Sequence, residues 1–422
     1  MLGYVSATEA VPATGPRKIR ADRSSGRRPP AQPQRGQRFG RRLRFGATIT
    51  GILALLFGVP WWSLVVSGAQ WPAPVVVAGT VVFLGGMIAF PVLMVHGHGR
   101  RHRDWAAVAG DTMLGVIWVF FTWAILGNLA RLGLAAAGVA DPTRSRVVAV
   151  SVTAVSLALV GWGYVEAIRV PRVRRVEVTV PRLGADLDGV RVVLLTDTHY
   201  GPLDRARWSA GVVAAVNELD ADIVCHTGDI ADGTVAQRRA QAAPLGQVRA
   251  RLAKAYVTGN HEYFGEAEGW LDHMTGLGWE ALHNRHLMVG RGRSRLVIAG
   301  VDDRTAASSG RPGHRADHAA ALHGADPDLP VLLLAHQPKQ ITDAVAHGID
   351  LQISGHTHGG QIWPFHLLVR IDQPVVQGLS RHGERTQLYT SRGTGFWGPP
   401  LRIFAPSEIT LLTLRSAAPL TT

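Results

Sequence analysis

Arg191-Val192-Val193-Leu194-Leu195-Thr196-Asp197-Thr198-His199 decides how the second half of this chain folds. The short β-branched run at 191–196 predicts a strand, and it ends in a carboxylate and an imidazole two residues apart. The same plan recurs downstream. Residues 222–226 run into Gly228-Asp229, 255–258 into Gly259-Asn260-His261-Glu262, 331–335 into His336, and 351–354 into Gly355-His356-Thr357-His358-Gly359-Gly360. A further strand is predicted at 295–300, and amphipathic helices at 207–219, 236–252, 266–277 and 340–347. Strands alternating with helices predict an α/β domain. Polar and metal-binding residues at the ends of several strands fall where open α/β sheets place their sites.

Each motif alone carries little. His96-Gly97-His98 has the same spacing as the last of them but lacks a preceding strand and companion ligands, and it reads as a solvated interfacial loop. Together the five are different, because carboxylates, imidazoles and one amide recurring at successive strand ends are what a shared dinuclear metal site requires. A carboxylate shared between two dications offsets their repulsion, and neutral imidazoles complete spheres suited to Mn, Fe or Zn. The single cysteine, Cys225, lies in an apolar run and reads as a small core residue. It excludes an intramolecular disulfide and a multi-cysteine metal site.

In order and content the five motifs resemble the calcineurin-like metallophosphoesterase superfamily, over essentially the whole C-terminal domain. Gly300-Val301-Asp302-Asp303 and the stretch from Ser391 to Pro400 bring the resemblance closest to its membrane-associated bacterial branch. The resemblance implies two packed mixed β-sheets flanked by helices. It implies that Asp197, His199, Asp229 and His358 hold one divalent ion, manganese first and iron or zinc next. Asp229, Asn260, His336 and His356 then hold the second, with Asp229 bridging. A metal-bridging hydroxide would attack phosphorus, His261 would protonate the leaving group or stabilise charge, and Glu262 would orient His261. One departure stands out: where phosphoprotein phosphatases of the family carry Gly-Asp-x-Val-Asp-Arg-Gly, residues 228–233 read Gly-Asp-Ile-Ala-Asp-Gly. The phosphate-binding arginine is missing, which lowers the odds of a phosphoserine or phosphothreonine substrate, and Arg392 and Arg402 are the candidates to replace it. His226 reads as a packing residue, and His283, His286, His314, His318, His323, His347, His366 and His382 as surface or loop residues.

The first half reads quite differently. Residues 1–44 are rich in Arg, Pro, Gly, Ser and Gln without apolar period, and predict a disordered basic tail. Four apolar stretches follow within 45–168, at 45–67, 74–95, 112–134 and 147–168, each near the ~20 residues that span a bilayer core. Asp111 and Glu166 fall near stretch ends, where a carboxylate is tolerable. A basic linker at 169–175 leads to the catalytic domain at 176–416 and a short tail at 417–422. Arginines before the first stretch, at Arg100, Arg101 and Arg103, and at Arg169, Arg172, Arg174 and Arg175 predict an N-in, C-in topology. The protein is then an integral membrane protein of the inner or plasma membrane with its catalytic domain in the cytoplasm. The formal net charge of +13 would suit nucleic acid, but its clustering beside apolar segments makes lipid headgroups the nearer partner, with no specific nucleic acid.

These readings predict a membrane-anchored dinuclear-metal phosphoesterase acting on phosphomonoester, phosphodiester or pyrophosphate bonds, with a lipid-linked substrate first in line. Soluble nucleotides or phosphoproteins are the alternative substrates, and a non-catalytic membrane sensor or scaffold the alternative class. Aromatic and apolar residues at 363–369 and at Phe396-Trp397 either form a lip for an acyl chain or are ordinary core.

Overall fold

A computed structural model describes residues 35–99 and 102–417; most of the predicted basic tail, with Arg100 and Arg101, lies outside the described residues. Among the described residues, four helices are long and apolar enough to cross a membrane. They are α1 (Arg35–Trp61, continued by a π-helical turn at Trp62–Val66), α2 (Ala73–His98), α3 (Asp104–Ala136) and α4 (Thr143–Ile168). The helix carrying the first span starts at Arg35, while its apolar span, Gly46–Val66, lies where the expected stretch 45–67 does. On α2 the side chains of Val77, Val81, Leu84, Ile88, Val92 and Val95 are exposed, which is stable only against lipid. His96-Gly97-His98 is the last turn of α2 and not a loop: the helix runs on because Gly97 packs closely on Ala107 and His98 Nε2 lies 2.9 Å from Asp111 Oδ1. Glu166 is likewise paired at the end of α4, accepting from Arg169 and Arg172.

The C-terminal domain follows as β1 (Arg172–Val180), β2 (Val190–Leu195), α5 (Ala206–Asn217), β3 (Ile223–His226), α6 (Val235–Ala242), β4 (Ala253–Tyr256), α7 (Asn260–Phe264), α8 (Ala267–Gly276), β5 (Glu280–Ala281), β6 (Arg285–Arg291), β7 (Ser294–Gly300), α9 (His318–Ala321), β8 (Val331–Leu334), α10 (Ile341–Ala346), β9 (Leu351–Ser354), α11 (His366–Asp372), β10 (Gly378–His382), β11 (Thr386–Thr390) and β12 (Glu408–Ser416). Two six-stranded mixed sheets form, ordered β1-β12-β2-β3-β4-β5 and β10-β11-β9-β8-β7-β6. In the first, β2 to β5 are parallel and β12 runs against β2. In the second, β7, β8, β9 and β11 are parallel and flanked by antiparallel edges.

Alternation along β2 shows how the layers are glued. Val192 and Leu194 join Ile223, Ile298, Leu332 and Ile353 in the core between the sheets. Val193 and Leu195 point the other way, onto Val212 of α5 and Trp270 and Met274 of α8. A third core lies outside the second sheet, where Ala299 and Leu333 meet Ile341 and Ala344. Parallel strands buried on both faces explain why their sequences are nearly all apolar.

Two predicted boundaries shift for local reasons. Half of the expected basic linker is strand: β1 starts at Arg172, pairing in parallel with β12, and Arg174 reaches Glu408. The helix expected at 236–252 stops at Ala242, because Pro244 opens a 3-10 turn (Ala243–Gln247) that cannot continue an α-helix.

Within residues 52–422, which form one compact unit, the catalytic domain rests on α3 and α4. Leu401, Ile403 and Ile362 bury themselves with Val119. Gly115 and Gly163 allow the close approach: a Cβ on either would lie 2.7 Å from Leu401 or Ile403. Trp123 meets Trp363 and Trp162 meets Phe404, with ring centroids 6.3 and 5.7 Å apart.

Candidate metal centre

Five loops leave the ends of β2, β3, β4, β8 and β9 and bring the sequence-predicted residues together. Several of the predicted ligands sit in left-handed backbone: Asp197 (φ 53°), Asp229 (φ 53°), His356 (φ 70°) and His358 (φ 51°). Such conformations cost about 1–3 kcal/mol each and persist where surrounding structure over-determines them. The surroundings are tight here. A Cβ on Gly355 would meet Thr196 Oγ1 at 2.1 Å and Asp197 Oδ2 at 2.2 Å, and one on Gly228 would meet the backbone of Gly259. The glycines flanking the ligands are therefore demanded by space between loops.

The donor atoms form two overlapping groups. In one, His199 Nε2 lies 3.1 Å from His358 Nε2, 3.6 Å from Asp229 Oδ2 and 4.0 Å from Asp197 Oδ1, and His358 Nε2 is 3.5 Å from Asp197 Oδ1. In the other, His336 Nε2 lies 3.2 Å from Asp229 Oδ2, 3.0 Å from Asn260 Oδ1 and 3.2 Å from His356 Nδ1. Asp229 is common to both. Ring nitrogens and carboxylate oxygens gathered within 4.8 Å of one another are a donor set suited to divalent cations.

Contacts behind the predicted ligands fix which ring nitrogen faces inward. His336 Nδ1 donates to the carbonyl of Thr227 (2.8 Å), leaving Nε2 for the centre. His199 Nδ1 donates to Asp232 Oδ1 (3.0 Å), and the same oxygen lies 2.6 Å from His261 Nδ1. Asp232 belongs to the 228–233 motif without being one of the predicted donors; its place three residues after Asp229 is the sequence signal that marks it. Glu262 is fully buried and does something other than expected. Its carboxylate accepts from the backbone N–H groups of Gly259 (2.6 Å), Ile230 (2.7 Å) and Asp229 (2.9 Å), clamping two ligand loops together. Asp232, not Glu262, holds His261.

The electrostatics are those of a buried carboxylate cluster short of positive charge. Burial opposes protonation of His336, yet Asp229, Asp197 and Asp303 together outweigh it and push the imidazole up to about 10. His261 is pushed up to about 9, burial again opposing and Asp229 and Asp232 prevailing. Burial raises Glu262 to about 7, with the Asp229 charge adding to it. His356 is driven down to about 3 by burial and by His336, and His358 well down by burial and by Arg402. Metal binding needs the deprotonated forms of these side chains, so bound cations would compete with protons here.

The arginines expected to replace the missing phosphate ligand are committed elsewhere. Arg392 Nε donates to Glu408 (2.7 Å), and the fully buried Arg402 donates to the carbonyls of His358 (2.7 Å) and Arg392 (2.8 Å). Arg205, not singled out in the sequence, donates to the carbonyl of Thr198 (2.7 Å) between the rings of Trp208 and Phe396. These arginines brace the ligand loops. His226 is a buried packing residue, 3.2 Å from Thr198 Oγ1. His318 is buried, and His283 and His314 gather at Asp302 rather than lying free on the surface.

Two cavities meet at His261. One, of about 670 Å³, is bordered by His199, Asp232, Arg238, Thr234 and by His98 and Asp104 of the membrane region. The other, of about 480 Å³, runs from Asp229, Asn260 and His356 to Trp118 and α11.

Residues 190–360 match the family model described as calcineurin-like phosphoesterase. A zebrafish (Danio rerio) transmembrane protein with metallophosphoesterase domain is 39% identical over 74% of this chain and 74% of its own length. The Bos taurus protein of the same description is 38% identical over 67% of this chain and 66% of its own. An uncharacterized metallophosphoesterase of Helicobacter pylori strain J99 is 37% identical over 61% and 68%. The chain belongs to the calcineurin-like metallophosphoesterases. It is a membrane-associated, metal-dependent phosphoester hydrolase, and divalent metal ions are its cofactors.

Proposed function

We propose that this protein is a dinuclear-metal phosphoesterase that hydrolyses a phosphomonoester, phosphodiester or pyrophosphate bond of a lipid-linked substrate at the membrane surface. The observation that carries the reading is the convergence of seven donor residues on two points that share Asp229. Asp197, His199, Asp229 and His358 would hold one ion; Asp229, Asn260, His336 and His356 would hold the other. When bound, the pair supplies Lewis acidity that activates water and neutralises charge on the phosphoryl oxygens, with manganese the first metal to test.

The chain's own residues do the rest. Asp232 keeps the ring of His199 in the tautomer that offers Nε2, and turns the ring of His261 so that its Nε2 faces Asp229, 3.9 Å from Oδ2. From that position His261 Nε2 carries the proton for the leaving oxygen. Glu262 is a positioning residue, because it holds the Asp229 and Asn260 loops in register through backbone N–H groups. The apolar cavity and the packing of the domain on α3 and α4 support a substrate that resides in the bilayer. Basic flanks support an N-in, C-in arrangement at the inner or plasma membrane, with the tail, membrane region and catalytic domain divided near residues 44, 168 and 416.

The test uses the full chain purified in detergent, stripped by chelator and reloaded with manganese, assayed on p-nitrophenyl phosphate and bis-p-nitrophenyl phosphate. Hydrolysis that returns with two ions per chain is expected. A fully loaded protein inert on these and on lipid phosphoesters would sink the reading in favour of a scaffold.

A further inference from the structure

We propose that the second cavity receives the hydrocarbon tail of the substrate, which slides in from the bilayer between α3 and α11 while its phosphate reaches the metal ligands. This rests on the phosphoesterase reading above and adds the substrate class: an amphiphile with an alkyl or polyisoprenoid chain attached through the phosphate to a polar group.

The walls make the case. The cavity's inner end is formed by Asp229, Asn260 and His356, so it is continuous with the metal centre. Its outer walls are Leu114, Gly115 and Trp118 of α3, facing Phe365, Leu368 and Val369 beside and on α11. Trp118 meets Phe365 edge-on, with ring centroids 5.9 Å apart. A volume of about 480 Å³ lies inside the roughly 300–1,000 Å³ typical of ligand sites.

Depth supports the same occupant. α3 has 33 residues, about 50 Å at 1.5 Å per residue, whereas the hydrocarbon core is about 30 Å thick. Counting back the ~20 residues of one span from Ala136 puts the hydrocarbon boundary near Gly115. The cavity wall on α3 therefore lies at the edge of the lipid. On the opposite wall, α11 turns Leu367 and Ile371 outward, and Ile371 is 81% exposed. Phe404, beside Trp162 of α4, is exposed as well. A short helix with bare apolar side chains next to spanning helices is stable when it lies in the interface.

The two cavities then divide the substrate. The tail occupies the arm between α3 and α11. The polar group takes the other arm, whose mostly apolar wall carries the polar side chains of His98, Asp232, Thr234 and Arg238, and the phosphate sits at their junction beside His261. A tail held in this way never crosses water when the headgroup enters the site.

The full chain in lipid nanodiscs, loaded with manganese, is assayed on two series that stay monomeric in water: alkyl p-nitrophenyl phosphodiesters and alkyl phosphates, each from methyl to octyl. In the series that is hydrolysed, kcat/KM is expected to climb by up to about fourfold per methylene until the arm is filled, and at least about a hundredfold in all. Leu368→Asp should cut the octyl-to-methyl ratio about tenfold by charging the wall, and Leu368→Met should restore it. A flat series with brisk hydrolysis throughout would overturn the tail arm and leave the phosphoesterase reading intact. A Leu368→Asp ratio equal to wild type would also overturn it. A protein carrying two ions that hydrolyses neither series nor any lipid phosphoester would bring down both readings.

Discussion

The metal centre and the apolar arm lie within one side chain of each other, yet they are built on opposite plans. The centre is polar and buried, and every donor comes from a loop fixed to the end of a sheet strand. The arm is apolar and open at its rim, and its walls come from a membrane helix near residue 115 and a short helix near residue 368. The first is local in the sense that matters for reading: each ligand pair announces itself within a few residues. The second exists only once segments some 250 positions apart have met. On the proposed reading, chemistry is set by strained loops, and substrate choice by the way the domain is seated on its membrane region.

The largest effects should come from the shared carboxylate. Asp229→Asn is expected to abolish measurable hydrolysis and to leave fewer than two ions per chain by metal analysis, because it touches both donor groups. Retention of two tightly held ions with near-normal activity would break the assignment of Asp229 as the bridge. His261→Ala should lower kcat by about 10²–10⁴-fold while metal content stays at wild-type level. A variant that lost metal instead would move His261 from proton donor to ligand.

Asp232→Asn tests the layer behind. It holds two rings at once, so a loss of about 10–100-fold in metal affinity or activity is expected, the usual range for partners of ligating histidines. The discriminating readout is the cycle with His261→Ala. If Asp232 acts through both rings, the double variant retains more activity than the product of the two single losses predicts. Glu262→Gln probes the clamp. The amide still offers one oxygen, but its NH₂ faces backbone N–H groups at a buried point, a loss of about 1–3 kcal/mol. A fall in thermal stability with kcat per loaded site largely kept would mark it as a positioning residue.

How much of this was legible beforehand follows from the same contrast. The strands carrying the ligands were readable because residues buried on both faces leave an unbroken apolar run, and β9 was found to the residue at 351–354. The donors stood out because imidazoles and carboxylates at strand ends have few other uses. β1 was hidden by its arginines, whose partners, Glu166 and Glu408, lie on other elements. Asp232 was hidden because a hydrogen-bonding carboxylate looks like any turn aspartate until the rings it holds are in place. His98 and Asp111 looked like interfacial residues because nothing in α2 or α3 alone says that their ends face each other. The arm was half visible at 363–369; its other wall required knowing which turn of α3 the domain would meet.

The smallest effect expected is at a bidentate ion pair that ties the head of α3 to the catalytic domain. Arg238 donates through both terminal nitrogens to Asp104 at 2.7 and 2.9 Å, and its Nε also donates to the carbonyl of Asp232 at 3.1 Å. Asp104 is half exposed, so screening by water should limit the pair to about 1 kcal/mol or less. If apolar contacts around Leu401, Ile403 and Val119 seat the domain, Asp104→Ala should shift the melting temperature of the full chain only slightly and leave the octyl-to-methyl preference in place. A collapse of that preference would mean that the seating depends on charge, and that the arm opens and closes with the pair rather than standing preformed.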